Sequence, residues 1–212
     1  MAPEQNETDR FSDVTLYTDG GCDPNPGAGG YGAILVCGDT ARELSGGFRL
    51  TTNNRMELFA AIAGLEALEK PSRVRLVSDS RYVVDAMALG WAKRWQANGW
   101  WRTKKDRAVN ADLWERLVAL CSFHCVAFEW VRGHTGHEQN ERCDALAMNA
   151  LKQPGLPVDA GYMPPSEERL PLTPALADQP GSARTVQSFA PTPPRAPTPV
   201  TAVPVQAEFR LL

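Results

Sequence analysis

Nowhere do the 212 residues contain a run of about 18 consecutive apolar side chains, so no segment can form a membrane-spanning helix. The lead-in Met1 to Arg10 is polar and lacks the apolar stretch of an export signal, which predicts a cytoplasmic protein with no membrane partner. Cysteines are few: Cys22, Cys37, Cys121, Cys125 and Cys143 make an odd set with no Cys-x-x-Cys pair. That pattern predicts reduced thiols and argues against both a disulfide framework and a zinc site. Positive charge is also in deficit, with a formal net charge of −3. A uniformly basic nucleic-acid-binding protein is thereby excluded, although a local patch is not. Proline is scarce at first, with only Pro3, Pro24, Pro26 and Pro71 ahead of Gln153, and all the others of the 17 follow it.

The proline shift marks the organisation. Residues 1–10 read as a disordered lead-in, 11–153 as one catalytic-sized domain, and 154–212 as a Pro-rich disordered tail. Pro191–Pro199 (PTPPRAPTP) favours extended chain that cannot bury much apolar surface. The terminal Phe209–Leu212 is a candidate hook for a protein partner. Nothing in the domain's chemistry calls for the tail, so removal of residues 156–212 is expected to leave activity intact.

Within the domain, the period of the apolar residues alternates between two and about 3.6. Val14–Thr18 reads as a strand broken by the turn-rich Asp19–Gly27, and Gly30–Cys37 and Ala41–Phe48 read as two more strands in a meander. Asn54–Lys70 has helical periodicity behind the candidate caps Thr51 and Thr52, and Pro71 closes it. Arg73–Ser78 is a fourth strand, after which Asp79-Ser80 can cap a helix over Arg81–Leu89. Helical Asp112–Ser122, a fifth strand Cys125–Val131 and a last helix Glu138–Leu151 complete the domain. The order predicts an α/β fold: a five-stranded mixed sheet flanked by helices, in which a helix between two strands suggests a parallel crossover.

Four carboxylates stand where such a sheet can gather them. Asp19 ends the first strand, Asp79 ends the fourth, Glu57 lies in the first turn of the first helix, and Asp144 lies in the last helix. In open α/β sheets the crevice at the carboxyl ends of the strands is the usual ligand site. Magnesium is a hard cation that prefers carboxylate oxygens and is usually completed by water and substrate phosphate. A pair of such ions roughly 4 Å apart suits in-line phosphodiester displacement. Taken singly, each acid has a plain alternative as a turn, cap or solvated helix residue.

One segment reverses the overall charge. Residues 91–107 hold Lys93, Arg94, Arg102, Lys104, Lys105 and Arg107 against the single acid Asp106, a balance of 6 − 1 = +5. Trp91, Trp95, Trp100 and Trp101 are interleaved with them. Cations give salt-sensitive phosphate affinity and indole faces can pack on sugars; the alternative is a surface helix whose tryptophans pack together.

The acids sit in longer phrases: Tyr17–Gly32 (YTDGGCDPNPGAGGYG), Thr51–Leu58 (TTNNRMEL), Ser78–Val83 (SDSRYV) and Trp130–Asp144 (WVRGHTGHEQNERCD). In order and spacing these resemble the bacterial type 1 ribonuclease H family, over about Asp13 to Leu151. The resemblance implies a ribonuclease H-like fold and metal-dependent endonucleolytic cleavage of the RNA strand of an RNA/DNA hybrid. It implies 5′-phosphate and 3′-hydroxyl ends and two Mg²⁺ ions, with Mn²⁺ as an alternative. Asp19, Glu57, Asp79 and Asp144 become the metal-binding catalytic acids, and His134 a proton-transferring residue in preference to His137. Cys22, Asn25, Asn53, Asn54 and Arg81 match positions that contact the hybrid, chiefly its RNA strand, and Asn53 and Asn54 also have a capping alternative. Thr52 and Asn110 match a pocket for a DNA-strand phosphate, and Trp91, Trp95 and Trp100 belong to the protruding basic element that grips substrate. Backbone and sugar contacts predict cleavage largely independent of sequence, by a monomer.

Two departures stand out: Asp23-Pro24 replaces a small uncharged pair, and Arg81 occupies a position where many bacterial members carry glutamine. A non-catalytic hybrid-binding module would lack at least one acid, and all four are present. An integrase-like or exonuclease-like relative is disfavoured by the TNNRME phrase and the Trp-rich basic segment.

Overall fold

Alternation of buried and exposed residues makes the first strand: Val14, Leu16 and Thr18 point inward while Thr15 and Tyr17 are half-buried. The computed structural model describes residues 12–164; the lead-in 1–10 and the tail's later part, including Pro191–Pro199 and the hook at 209–212, lie outside the described residues. The elements run β1 (Ser12–Cys22), β2 (Gly27–Cys37), β3 (Thr40–Thr51), α1 (Asn53–Glu66), β4 (Ser72–Ser78), α2 (Arg81–Ala88), α3 (Trp91–Ala97), α4 (Ala111–Phe123), β5 (Cys125–Trp130) and α5 (Glu138–Ala150). The five-stranded sheet has the order β3-β2-β1-β4-β5. β1, β2 and β3 form an antiparallel meander, and β1, β4 and β5 pair in parallel. The expected mixed sheet is present, and strands one and four are parallel neighbours, the condition on which Asp19 and Asp79 share a crevice.

Helices cover both faces. At consecutive residues of β1 the Cβ directions alternate, so Gly20 faces the backbone of Met56 and Glu57 in α1 while Gly21 faces Met148 in α5. The main core lies on the α1 side, where Leu58, Ala61, Ile62 and Leu65 pack with Leu16, Leu76, Trp114 and Leu117, all fully buried. At about 25 cal/mol per Å² of apolar surface, this burial is the main term holding the helices on the sheet.

Four boundaries differ from the sequence reading. β1 does not end at Asp19; it continues opposite β2 as far as Cys22↔Gly29, while its parallel ladder with β4 stops at Thr18↔Ser78. α1 ends at Glu66, short of Lys70, with Ala67 as its C-cap. A separate helix α3 forms between left-handed Gly90 and Gly99, inside the basic segment. The packed body also runs past residue 153. Arg49 N–H donates to Pro157 O at 3.0 Å, and Asp159 is only 3 % exposed. Residues 154–162 were assigned to the tail by composition, but they hold specific polar contacts, so a truncation at 156 removes part of the body.

Candidate active site

The site is built where the parallel β1–β4 ladder stops. Thr18 pairs with Ser78, so the next residues, Asp19 and Asp79, stand side by side at that opening. Glu57 is brought beside Asp19 because Gly20 has no side chain: a Cβ there would strike the Glu57 and Met56 backbone. On the opposite face, Gly32 lets the Cys143 carbonyl of α5 close onto β2, which carries Asp144 to the same end. All four acids are half-buried.

Their electrostatics show how strongly they interact. Asp19 is pushed up from 3.8 to about 7, first by burial and then by the charge of Asp79, with Asp144 and Glu57 adding to it and the 2.7 Å bond from Gly20 N–H opposing it. Glu57 is likewise pushed up to about 7, first by burial; the Ser80 bond lowers it, Asp79 raises it and the Asn53 bond lowers it. Both Glu57 oxygens are fixed: Ser80 Oγ donates to Oε2 at 2.5 Å and Asn53 Nδ2 donates to Oε1 at 3.0 Å. Asp79 Oδ2 accepts from Asn140 Nδ2 at 3.3 Å, and the Asp79 carbonyl accepts from Trp130 Nε1 at 2.9 Å.

Among the described residues no three His, Cys, Asp or Glu side chains are gathered closely enough to hold an ion unaided. The donor set nevertheless fits a hard divalent cation. Burial first, and then neighbouring carboxylates, push Asp19 and Glu57 up to about 7, and magnesium commonly takes one or two carboxylates and completes its shell with water and phosphate.

Around the acids the other predicted residues fall into two groups. Asn25 and Asn53 are brought together, with Asn25 Oδ1 accepting from Asn53 N–H at 3.2 Å. Cys22 Sγ has two carbonyl acceptors within reach of its one S–H, Pro24 O at 3.2 Å and Thr51 O at 3.4 Å, which places it between the Gly-rich loop and the end of β3. Thr52 occupies the N-cap position of α1 but makes no capping side-chain bond, and Asn54 is exposed in the first turn. Arg81, at the start of α2, lies with its guanidinium carbon 3.7 Å from the centre of the Trp130 ring. His134 is exposed, with φ +53, in the loop between β5 and α5. That loop runs against the site, because Gly133 abuts the Asp79 carboxylate so closely that a methyl group has no room.

The second group lies around α3. Trp91 and Trp95, with Tyr82, Ala86, Arg94 and Arg102, line a hollow of about 500 Å³. Trp95 packs edge-on against Trp114 at 5.8 Å, so this tryptophan anchors the segment to the core and does not stack on a neighbouring one within it. Trp100 takes a left-handed backbone, φ +66, held by its N–H to Trp95 O at 2.6 Å. All six cations of the segment are exposed. Asn110, also left-handed at φ +61, precedes α4 and donates to Tyr82 Oη at 3.1 Å.

Three contributors were missed as site residues, namely Ser80, Asn140 and Trp130. Each lies inside a quoted phrase, which was the available signal, but their contacts link α2 to α1, α5 to β4 and β5 to β4 and leave no trace in local spacing.

A family model for RNase H matches residues 12–152. The chain belongs to the RNase H family. Among curated relatives, a ribonuclease H of Desulforamulus reducens is 57 % identical over 154 residues, covering 73 % of this chain and 97 % of the relative. A ribonuclease HI of Synechocystis is 56 % identical over 150 residues, covering 70 % and 94 %. Of solved structures, LC9-RNase H1, a type 1 RNase H with the type 2 active-site motif, aligns with TM-score 0.60 at 32 % identity over 66 % of this chain and 72 % of that one. RNase H1 from Halobacterium salinarum aligns with TM-score 0.52 at 28 % identity, over 66 % and 97 %. This RNase H is therefore a nuclease enzyme with the expected sheet, and no helix among its described residues is long and apolar enough to cross a membrane.

Proposed function

We propose that this RNase H is a monomeric endonuclease that hydrolyses the RNA strand of an RNA/DNA hybrid, largely without regard to sequence, leaving 5′-phosphate and 3′-hydroxyl ends. The observation that carries the reading is geometric: Asp19 and Asp79 follow the last pair of the β1–β4 ladder, the Gly20 backbone packs on Glu57 of α1, and α5 brings Asp144 onto the same end of the sheet. Clustered carboxylates repel one another and raise one another's pKa, and bound cations would relieve that repulsion and let all four ionise.

Asp19, Glu57, Asp79 and Asp144 would hold two Mg²⁺ ions, or Mn²⁺ in their place. Bound there, such ions supply the positive charge that activates an attacking water and neutralises the leaving oxygen of an in-line displacement. The chain's own residues orient the ligands. Ser80 and Asn53 set both oxygens of Glu57, while Asn140 and Trp130 brace Asp79. His134, on an exposed loop beside Asp79, can carry a proton to the leaving 3′-oxygen or away from product.

Substrate contacts are assigned by the positions these residues share with the family's motifs. Cys22, Asn25, Asn53, Asn54 and Arg81 surround the acids and face the RNA strand, where the 2′-hydroxyl separates RNA from DNA. Thr52 and Asn110 take a phosphate of the DNA strand. Trp91, Trp95 and Trp100, with the exposed cations around α3, grip the duplex beyond, Trp95 doing so while its edge contact with Trp114 ties the segment to the core. Such contacts position the nucleic acid without reading bases.

The test is a gel assay on end-labelled RNA/DNA, RNA/RNA and DNA/DNA duplexes. Selective cutting of the RNA in the hybrid is expected. Equal digestion of RNA/RNA would move the reading to another nucleic-acid substrate.

A further inference from the structure

Outside the residues matched by the family model, the segment 154–162 supplies a buried acid to the first turn of α1. Asp159 has a side chain only 1 % exposed. Its Oδ2 accepts from Arg55 Nε at 2.6 Å and Thr51 Oγ1 at 2.7 Å, and its Oδ1 accepts from Arg55 Nη2 at 2.8 Å and Gly161 N–H at 3.3 Å. Arg55, with a side chain 2 % exposed, is thus gripped along one edge by a strap. The strap itself is tied down by Arg49 N–H to Pro157 O, and its turn is closed by Tyr162 N–H to Asp159 O at 3.1 Å.

The other edge of Arg55 faces α4. Nη1 and Nη2 donate to Asp112 at 3.0 and 2.8 Å, and Nη1 reaches Asn110 Oδ1 at 3.4 Å. Asp112 is 45 % exposed and Asp159 is not, so the rigid partner of the guanidinium is the strap. A buried ion pair is weak evidence for stability, and its better attested use is to fix one register among several. What this pair registers is legible from its neighbours. Thr51 and Thr52 lead into α1, Asn53, Asn54 and Glu57 follow, and Asn110 stands on the far side of Arg55. A planar guanidinium with fixed N–H directions transmits the position of Asp159 to Asn110 Oδ1.

We propose that Asp159 is a positioning residue for substrate: through Arg55 it sets the spacing of Thr52 and Asn110, and so the affinity for hybrid, while leaving the cutting step alone. This rests on reading Thr52 and Asn110 as the holders of a DNA-strand phosphate. With Asp159 neutralised, Arg55 turns toward the exposed carboxylate of Asp112, and the Asn110 amide is left held on one side only, by its Nδ2 bond to Tyr82 Oη at 3.1 Å.

The experiment uses the full chain carrying Asp159→Asn, an isosteric change, with Asp159→Ala as a second variant and Asn110→Ala for a double-mutant cycle. Binding of a fluorescent RNA/DNA hybrid is followed by anisotropy in EDTA, well below each variant's unfolding temperature, and KM and kcat are then measured with Mg²⁺. Both Asp159 variants are expected to weaken binding on the order of tenfold, the size of one charge-assisted hydrogen bond. KM should rise to match while kcat holds within about twofold, and Asn110→Ala should add little on top of Asp159→Asn. A folded Asp159→Asn protein with unchanged affinity, or losses that multiply in the double variant, would overturn the proposal. Failure of the unaltered protein to bind any hybrid would instead overturn the substrate reading beneath it.

Discussion

Ser80 Oγ donates a 2.5 Å hydrogen bond to Glu57 Oε2, so the residue that caps α2 also aims an acid carried by α1. The same oxygen accepts from Val83 N–H at 3.3 Å. One hydroxyl therefore joins helix capping to the orientation of a candidate ligand.

Ser80→Ala should cost on the order of 1 kcal/mol for the lost cap, and Ser80→Thr should cost less. Cutting of hybrid should fall in the alanine variant and largely survive in the threonine one. Denaturant melts alongside initial rates check both; an alanine variant that loses stability but cuts at full rate would remove Ser80 from the site.

Asp19→Asn should abolish cutting while sparing hybrid binding. It should also raise the unfolding temperature of the metal-free protein at pH 8. The sign follows from linkage: the Asp19 carboxyl stands at about 7 in the folded protein against 3.8 as its ordinary value. Its stabilising contribution is present at low pH and is lost as pH rises through 7, leaving a net cost once ionised. Thermal melts in EDTA at pH 5 and pH 8 check this, with the larger gain expected at pH 8 and a smaller one at pH 5, which already lies above 3.8.

His124 gives the opposite slope. It is buried, its Nδ1 accepts from Ser72 N–H at 3.2 Å, and burial holds it below its ordinary 6.5. Its contribution is therefore intact above 6.5 and is lost as pH falls from there through the lowered folded value. His124→Asn keeps an acceptor but cannot titrate, so the unfolding temperature of the unaltered protein should drop relative to this variant between pH 7 and pH 5.

His134→Ala should slow hybrid cutting without abolishing it, since the loop residue moves a proton and the acids carry the charge. Single-turnover rates check this. A total loss would make His134 indispensable and the account of its role wrong.

Much of this architecture was legible because its determinants are local. Alternation in Val14–Thr18 and Arg73–Ser78 marked both strands, but their adjacency was only a condition for bringing Asp19 and Asp79 together; the parallel ladder from Ser12↔Ser72 to Thr18↔Ser78 meets it. Ser80 was legible as a cap, because capping is a relation between residues three apart, but its bond to Glu57 spans 23 residues. Asp159 was hidden altogether. It sits 104 residues from Arg55 in a stretch whose proline content suggests disorder, and composition averages over the single acid that packs. Trp95 was read as a substrate residue or a surface neighbour of other tryptophans. Its contact with Trp114 belongs to tertiary packing that local pattern does not encode.

The central claim is that four acids act together through divalent cations on the RNA strand of a hybrid. It is tested most directly by following a 5′-labelled RNA paired with DNA during a Mg²⁺ titration, with the unaltered protein and with Asp19→Asn, Glu57→Gln, Asp79→Asn and Asp144→Asn side by side. The account predicts cutting by the unaltered protein that rises with Mg²⁺ and stops in EDTA, with each substitution either abolishing it or demanding far more metal. Cutting that persists in EDTA, or that is indifferent to all four substitutions, would contradict it.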